Sequence, residues 1–202
     1  MKSSFFILFM VCSMAAAQGQ TDQREKPANK HFVSTSLFML ANFLPDPPHF
    51  FQLNYGRRLT EKDALMVEAI TWQYPAPLGI PYGESYGNAE ENFPGIVRDF
   101  GIGLAYQRFW WKKLYTTFHA TPFLQQYLTP EREKIQTGFQ LFLTARVGYR
   151  ITFLENRCFL EPSVAFTHWP INTNLPAAFA EREDRWPNYF LFEPGLHVGY
   201  QF

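Results

Sequence analysis

The chain has 202 residues, and its 18 basic residues balance 18 acidic ones to give a formal net charge of zero. This balance argues against nucleic acid as a partner, since nucleic-acid binding requires a basic excess. Aromatic side chains make up 18% of the residues, a high share for a soluble domain. No apolar run after Gln18 approaches the roughly 18 residues that a membrane helix requires, so the composition favours a protein that crosses a membrane with strands.

The first 17 residues are typical of a cleaved secretory signal peptide. Lys2 gives a positive start, residues 5–12 are apolar, and three alanines at 15–17 form a small-residue cleavage site. Residues 18–30 are polar and have no periodicity, so we expect a flexible periplasmic leader. Residues 31–202 are predicted to form the folded barrel.

Eight segments alternate apolar and polar residues, which is the pattern of a strand with two different faces. Each segment is long enough for a tilted membrane strand, which needs about 9–11 residues. The eight segments are residues 31–43, 50–59, 64–72, 100–110, 114–127, 139–151, 158–168 and 192–202.

The connections between these segments alternate in length, with tight ones at 59–63, 111–113 and 154–157 and longer ones between the other segments. Short turns on one side and long loops on the other are typical of outer-membrane barrels. The predicted fold is all-β: an eight-stranded antiparallel up-and-down transmembrane β-barrel with short periplasmic turns, longer extracellular loops and both termini in the periplasm. Pro122, Pro162 and Pro194 lie on predicted outward faces, and we expect local bulges there because proline removes a ladder hydrogen bond.

All five tryptophans fall at the ends of the predicted strands or in a loop. Aromatic residues are enriched at both membrane–water interfaces, where they form girdles around a barrel. The predicted aromatic girdle consists of Trp72, Trp110, Trp111, Trp169 and Trp186.

The chain ends on FEPGLHVGYQF, a full alternation that closes with Tyr200 and Phe202. This ending resembles the C-terminal signal by which outer-membrane barrels are recognised by the barrel-assembly machinery. The whole predicted domain resembles small eight-stranded barrels of the OmpA-transmembrane and OmpX type, and also uncharacterised outer-membrane proteins of Bacteroidota. The resemblance implies a porin-like protein of a Gram-negative outer membrane, with outer-membrane lipid, lipopolysaccharide and the assembly machinery as partners.

The faces opposite the apolar ones are predicted to line the interior. A narrow eight-stranded barrel is filled by side chains, and buried charges there must pair. We therefore predict a plugged interior that contains an Arg150–Glu161–His197 cluster and an Arg146–Glu193 bridge. The predicted interior charge network consists of Arg58, Glu68, Arg146, Arg150, Glu161, Glu193 and His197.

A hydrolytic site is the alternative interpretation of these interior residues. Glu161, Ser163, His197 and His119 supply the residue types of a Ser-His-acid triad, but no nucleophile-elbow motif is present and a plugged interior gives no access to substrate. We therefore predict no catalytic residue, no cofactor and no metal site.

The predicted role is structural or interactive, through the extracellular loops or as an accessory subunit of an outer-membrane complex. Residues 73–99 contain four prolines and several tyrosines and are expected to form a folded Ω-type loop. Residues 176–184 are expected to contain one short helix. Together these loops offer an aromatic surface for a protein partner.

Two other functions remain open from the sequence. His168 is predicted to point outward near the outer leaflet, and lipid A deacylases of the PagL type carry a His-x-Ser-Asn motif on such a face, but here Pro170 stands at the position of the serine. A lipid-A-modifying enzyme is therefore the weaker hypothesis. The second is a soluble lipocalin-like barrel with an internal ligand, in which the apolar faces would point inward.

Overall fold

The structure, a computed structural model, describes residues 30–202, so the predicted signal peptide and residues 18–29 of the predicted leader lie outside the described residues. Within the described part, no helix is both long and apolar enough to cross a membrane. The regular elements are the strands β1 His31–Ser36, β2 Phe51–Arg58, β3 Asp63–Tyr74, β4 Ile96–Trp111, β5 Leu114–Leu128, β6 Lys134–Tyr149, β7 Ile151–Phe153, β8 Cys158–Thr173 and β9 Tyr189–Gln201, the helix α1 Ala177–Glu183, and two 3-10 helices, Leu37–Phe43 and Ala89–Glu91.

The strands form one closed antiparallel ring. Strands β1 to β6 pair in chain order, β8 pairs with both β6 and β7, and β9 pairs with β8 and β1. Because β7 follows β6 after the single residue Arg150, the two occupy one position in the ring, which has eight positions. Where β1 and β9 meet, His31 and Phe202 exchange backbone hydrogen bonds of 2.9 and 2.8 Å. The predicted eight-stranded antiparallel barrel is confirmed.

The two ends of the barrel differ in their connections. The turn end carries the tight turns 59–62, 112–113 and 154–157 and the start of β1, whereas the loop end carries the segments 37–50, 75–95, 129–133 and 174–188. This is the predicted alternation of short and long connections. The helix expected within residues 176–184 is present as α1.

The apolar residues of the alternating strands point outward. In β2, Phe51, Leu53 and Tyr55 are 45–47% exposed, while Gln52 and Asn54 between them are buried. The same alternation holds in β4, where Ile102 is 72% exposed. A lipocalin-like barrel would have its apolar faces inside, so the structure does not agree with that hypothesis.

The first strand is shorter than predicted, and this is the main correction to the predicted elements. Residues 31–43 were expected to form one strand, but β1 ends at Ser36 and the chain continues as the 3-10 helix Leu37–Phe43. The side chain of Ser36 caps this helix by accepting a hydrogen bond from the Phe38 backbone N–H at 3.2 Å. Within the described residues, β1 therefore pairs with β9 only from Phe32 to Ser36 and with β2 only from His31 to Ser34.

The prediction of bulges at the three prolines was wrong, because none of them lies at a register shift. The β4–β5 ladder lacks pairs between Gly101 and Leu104, opposite Pro122, but its register is the same on both sides of this gap, and Pro162 pairs with Leu196 without a shift. Pro194 lies in the part of β9 that has a strand neighbour on one side only, because β1 has already ended. A proline is tolerated on such an edge because no neighbouring strand needs its missing N–H.

The interior has two halves. At the turn end, the buried residues Phe32, Ala64, Met66, Ala105 and Phe159 pack against one another and fill the barrel. At the loop end, a second cluster joins residues of the loops to residues of the barrel wall; it contains Tyr74, Phe93, Val97, Tyr127 and Phe179, with Trp72, Leu78 and Leu175 packed against it.

Candidate functional site

The turn half of the interior contains a fully buried ion pair. Arg150 is 2% exposed, and its Nε donates to Glu161 Oε1 at 2.6 Å. Its guanidinium also donates to Gln107 Oε1 at 3.0 Å and lies against three aromatic rings, the closest being Phe159 with its centroid at 4.1 Å. The pair therefore fixes the centre of the filled half, where tight turns bring β6 and β8 together.

A second ion pair lies closer to the loop end of the barrel. Arg146 on β6 donates to Glu193 Oε1 on β9 at 2.8 Å and to Ser163 Oγ at 3.0 Å. The two charged residues are separated by Ala165 on β8, which pairs with both, so the arginine reaches across a small residue. Thr167 donates to the other carboxylate oxygen of Glu193 at 2.9 Å.

Glu68 on β3 forms a third cluster on the opposite wall. It is 4% exposed and accepts hydrogen bonds from Gln52 Nε2 at 2.5 Å and Thr121 Oγ1 at 3.0 Å. The Nδ1 atom of His119 lies 3.6 Å from Glu68 Oε2. A buried carboxylate is tolerated here because two neutral donors satisfy its oxygens.

His197 was expected to join Arg150 and Glu161, and the structure separates it from them. Its Cα is the strand partner of Glu161, yet its side chain lines the open part of the interior. The imidazole is 9% exposed and has no hydrogen-bond partner among residues 30–202. Its ring nitrogens keep accessible surface in the cavity, so a hydrogen-bond partner for them must come from what fills the cavity.

The remaining charged residue of the predicted network, Arg58, lies at the turn end. It donates to Gln201 Oε1 at 3.0 Å, and its guanidinium lies 5.7 Å from the centroid of the Phe109 ring. Arg58 is therefore part of the filled half and does not face the open part of the interior.

The loop half of the interior is hollow, which corrects the prediction of a plugged barrel. A cavity of about 980 Å³ lies between the loops and the charged residues Arg146, Glu193 and Glu68. Its volume is at the upper end of the ~300–1,000 Å³ typical of small-molecule sites. The prediction was wrong for this half because the inward positions there are held by small residues and because the wall is incomplete. These small inward residues include Gly101, Thr121, Thr144, Thr167 and Gly195.

The cavity has an apolar upper part and a polar floor. Its aromatic wall is formed by Trp72, Phe123, Phe142 and Trp169, and Trp169 stacks on Phe142 with ring centroids 5.4 Å apart. Its floor is formed by Glu68, His119, Arg146, Glu193 and His197. The lining is therefore amphiphilic.

One side of the cavity has no strand in its wall, and we call this gap the side window. The window begins where the β1–β9 ladder ends at the pair Ser36–His197. Its rim consists of Phe38 and Phe50 on one side and Pro194 and Leu196 on the other. Two outward residues of β9, Pro194 and Leu196, line the cavity, which they could not do if β1 continued beside them.

Asn42 holds the β2 side of the window in place. Its side chain donates to the Phe50 carbonyl at 2.7 Å and accepts from the Phe50 N–H at 2.8 Å. Thr35 donates to the Gln52 carbonyl at 2.5 Å. Side chains thus supply the hydrogen bonds that β1 would have given to this edge.

The five tryptophans do not form the two predicted girdles. Trp110 and Trp111 are 57% and 65% exposed at the turn end, but Trp72 and Trp169 point inward, where they donate to Asp99 and Glu183, both at 3.2 Å. They follow the inward residues Glu68 and Glu161 by even numbers of positions, so the alternation of the strand places them inside. Trp186 is half-buried in the loop after α1.

The two residues of the predicted assembly signal point outward. Tyr200 is 41% and Phe202 53% exposed, and their rings stack with centroids 6.2 Å apart. His168 also lies on the outward side of β8, where its Nδ1 donates to the Asn188 carbonyl at 2.9 Å. Within residues 30–202, no group of three or more His, Cys, Asp and Glu residues is placed to hold a metal ion.

Several residues of the cavity were missed from the sequence. Gln52, Thr121 and Thr167 are the neutral partners of the charged groups, and ordinary strand alternation gave no reason to select them. The side window did leave a signal: residues 37–41, LFMLA, are consecutively apolar, so the alternation that begins at His31 stops there.

Comparison with known proteins supports no more than a general likeness. No protein-family model matches the sequence, and no curated protein matches it either. The chain is similar to a crystal structure of Ail, the attachment invasion locus protein of Yersinia pestis, in complex with the heparin analogue sucrose octasulfate. The sequence identity is 11%, the TM-score is 0.41, and the match covers 86% of this chain and 94% of the other.

Proposed function

We propose that the chain is an integral outer-membrane β-barrel protein that acts through its loop end, as an interaction surface or as an accessory subunit of a membrane complex. The observation that supports this most directly is the apolar outer wall. Residues such as Ile102, Leu104 and Phe118 are 57–72% exposed, and a wall of this kind is stable in a bilayer because ring closure satisfies the strand hydrogen bonds outside the side window.

The loops at the loop end are held together by contacts between them. Arg185 forms an ion pair with Glu91 at 3.3 Å, and Arg182 donates to the Glu90 carbonyl at 3.3 Å, so α1 is tied to the long loop 75–95. On the same loop, Tyr82 and Tyr86 are 52% and 56% exposed at the edge of the cavity that they help to line. Exposed tyrosines on a fixed loop suit recognition of a protein partner.

The membrane location is tested by cell fractionation and by gel mobility in SDS before and after boiling. We expect recovery in the outer-membrane fraction and a mobility that changes on boiling, since a closed barrel resists SDS until it is heated. Recovery as a soluble periplasmic protein without a mobility change would contradict the proposal.

An outward charge makes the test more specific. Ile102→Arg is expected to destabilise the barrel by about 2–4 kcal/mol, the cost of an arginine at the bilayer midplane on a lipid-facing position. In a soluble barrel the same exposed substitution would change stability by no more than about 0.5 kcal/mol. Leu59→Arg, in a turn beyond the wall, is the matched control and is expected to have little effect in either case.

The interaction role is tested by placing a photoactivatable amino acid at Tyr86 in cells and, as a control, at Leu114 near the turn end. A discrete protein adduct from position 86 that is absent from position 114 would support a loop partner. Equal or absent adducts at both positions would argue against one.

The lipid-A-modifying hypothesis has less support. His168 is held by a backbone carbonyl, and the position expected for a serine nucleophile is Pro170. A reaction must be argued from a complete site, and no nucleophile lies beside His168 in its motif.

A further inference from the structure

The hollow half of the barrel is open towards the surrounding medium through the side window, and its floor has a histidine, His197, that faces the cavity without a hydrogen-bond partner among the described residues. From these two observations we propose that the cavity binds a single-chain amphiphile with an uncharged, hydrogen-bonding head group, such as a monoacylglycerol, which enters from the membrane through the side window. This inference rests on the proposed membrane insertion, because the window then faces lipid.

The window gives a route from the bilayer. It lies in the wall of the barrel, since the β1–β9 ladder stops at Ser36–His197 while β9 continues towards the loop end. Its rim residues are apolar: Phe38 is 52% exposed and packs edge-on against Phe50 with ring centroids 5.0 Å apart. At the loop end, part of the interior is filled by the cluster around Tyr74, Phe93 and Phe179.

The 3-10 helix beside the window has the character of a lipid-contacting segment. Leu37–Phe43 has no charged residue, and Leu40 and Phe43 are 60% and 86% exposed. Such exposure is unfavourable in water and favourable at the boundary of a bilayer. The helix therefore places the rim of the window in contact with lipid chains.

The upper part of the cavity is suited to an alkyl chain. Ile70, Phe123 and Phe142 line it together with the buried Trp169, and the volume of about 980 Å³ is ample for an extended flexible ligand. These residues project inward from four strands of the completed wall. An apolar chain there would be removed from contact with polar groups.

The floor supplies the polar contacts. His197 is 9% exposed and has no hydrogen-bond partner among residues 30–202, and it stands at the foot of the window. His119 lies near Glu68 at 3.6 Å, beyond a normal hydrogen bond. The ring nitrogens of His197 face the cavity and take their hydrogen-bond partner from whatever fills it, and a ligand hydroxyl or ester carbonyl would supply one.

The charges of the floor select the head group. Among the lining residues, one arginine, Arg146, stands against two glutamates, Glu68 and Glu193. With neutral histidines the formal charge is negative, and Arg146 is already engaged by Glu193 at 2.8 Å. A carboxylate or phosphate head would be repelled, so a neutral head is favoured over that of a fatty acid or a phospholipid.

The test uses the full chain in phosphatidylcholine nanodiscs with a monoacylglycerol that carries a diazirine in its acyl chain. After illumination, adducts are located by peptide mass spectrometry. We expect adducts on inward residues, Ile70 and Phe142, as well as on outward ones such as Val67. Outward adducts report membrane insertion, so their absence would contradict the proposed function, whereas outward adducts without inward ones would overturn only this inference.

Two variants and their controls test the site. His197→Phe removes the ring nitrogens and is expected to lower the inward adducts about 5- to 10-fold, the effect of one lost hydrogen bond; His168→Phe, on the outside, is expected to have no effect. Ile70→Trp fills the cavity and is expected to abolish the inward adducts, while the outward Val67→Trp is expected to leave them unchanged. A mobility shift on boiling confirms that each variant is folded.

The head group is tested by competition. Unlabelled monooleoylglycerol is expected to suppress the inward adducts, and oleic acid with the same chain is expected to leave them in place. Equal competition by both lipids would overturn the proposed selectivity. Inward adducts that neither His197→Phe nor Ile70→Trp changes would overturn the site itself.

Discussion

The buried ion pair in the turn half allows a quantitative test of how this barrel is stabilised. Arg150 and Glu161 are 2% and 5% exposed and lie 2.6 Å apart. The change is Glu161→Leu, which removes the carboxylate and leaves the guanidinium among aromatic rings. Breaking a buried pair from one side costs about 3–5 kcal/mol, because the remaining charge is uncompensated. We expect a loss of this size in the free energy of unfolding.

The second change, Arg150→Met combined with Glu161→Leu, removes both charges. Replacing both members of a buried pair by apolar residues is often neutral, but here Gln107 loses its bonds to Arg150 at 3.0 Å and to Glu161 at 3.4 Å. A buried amide without partners costs about 1–3 kcal/mol. The double variant should therefore be more stable than Glu161→Leu alone, by about 2 kcal/mol.

The assay is urea unfolding in detergent micelles, followed by tryptophan fluorescence and by the mobility shift on gels. Equal slopes against urea concentration would show that the variants unfold from comparable native states. Val147→Leu, at an outward position of β6 that is 53% exposed, is a suitable control. A loss below about 1 kcal/mol for Glu161→Leu, or a double variant less stable than the single one, would refute the reasoning.

Three further predictions concern other parts of the fold. Gly56→Ala should destabilise the filled half by about 1–3 kcal/mol, since a Cβ at this position would lie 2.1 Å from Phe32 Cζ; urea unfolding measures it. Asn42→Ala should loosen the rim of the side window, because the backbone of Phe50 loses both side-chain hydrogen bonds; amide hydrogen exchange at residues 50–52 should become faster. Burial raises the pKa of Glu183, at the end of α1, above its usual value. Folded α1 therefore binds the proton more tightly than the unfolded segment, and its stability should increase as the pH falls from neutral through the raised pKa. Glu183→Gln should remove this pH dependence from the hydrogen exchange of α1.

Each of these predictions has its own control. Gly83→Ala is the control for Gly56→Ala because it adds a Cβ without crowding, since no atom lies within 4 Å of that Cβ. Its positive φ of 152° adds only backbone strain. Asn42→Asp keeps one acceptor and should loosen the rim less than Asn42→Ala. Glu181→Gln, on the exposed side of α1, should leave the pH dependence in place; equal effects of the two glutamine substitutions would contradict the role given to Glu183.

The sequence by itself predicted the barrel and its two faces. Alternation with period two is a local property of a strand, and the exposed Phe51 and the buried Gln52 follow from it directly. Counting across the tight turn 154–157 likewise placed Arg150 opposite Glu161, because a short turn leaves little freedom in register. The same alternation, applied to Trp72 and Trp169, would have placed them inside.

The hollow half, the side window and the position of His197 were decided only by the tertiary structure. Whether β1 ends at Ser36 depends on the competition between pairing with β2 and β9 and forming a helix that exposes its apolar residues, and residues 37–41 alone do not settle it. Whether the interior is filled depends on the summed volume of inward residues from all eight strand positions and on how the loops pack over them. A strand pattern specifies which side each residue faces, but the space that remains between opposite walls is a property of the closed ring.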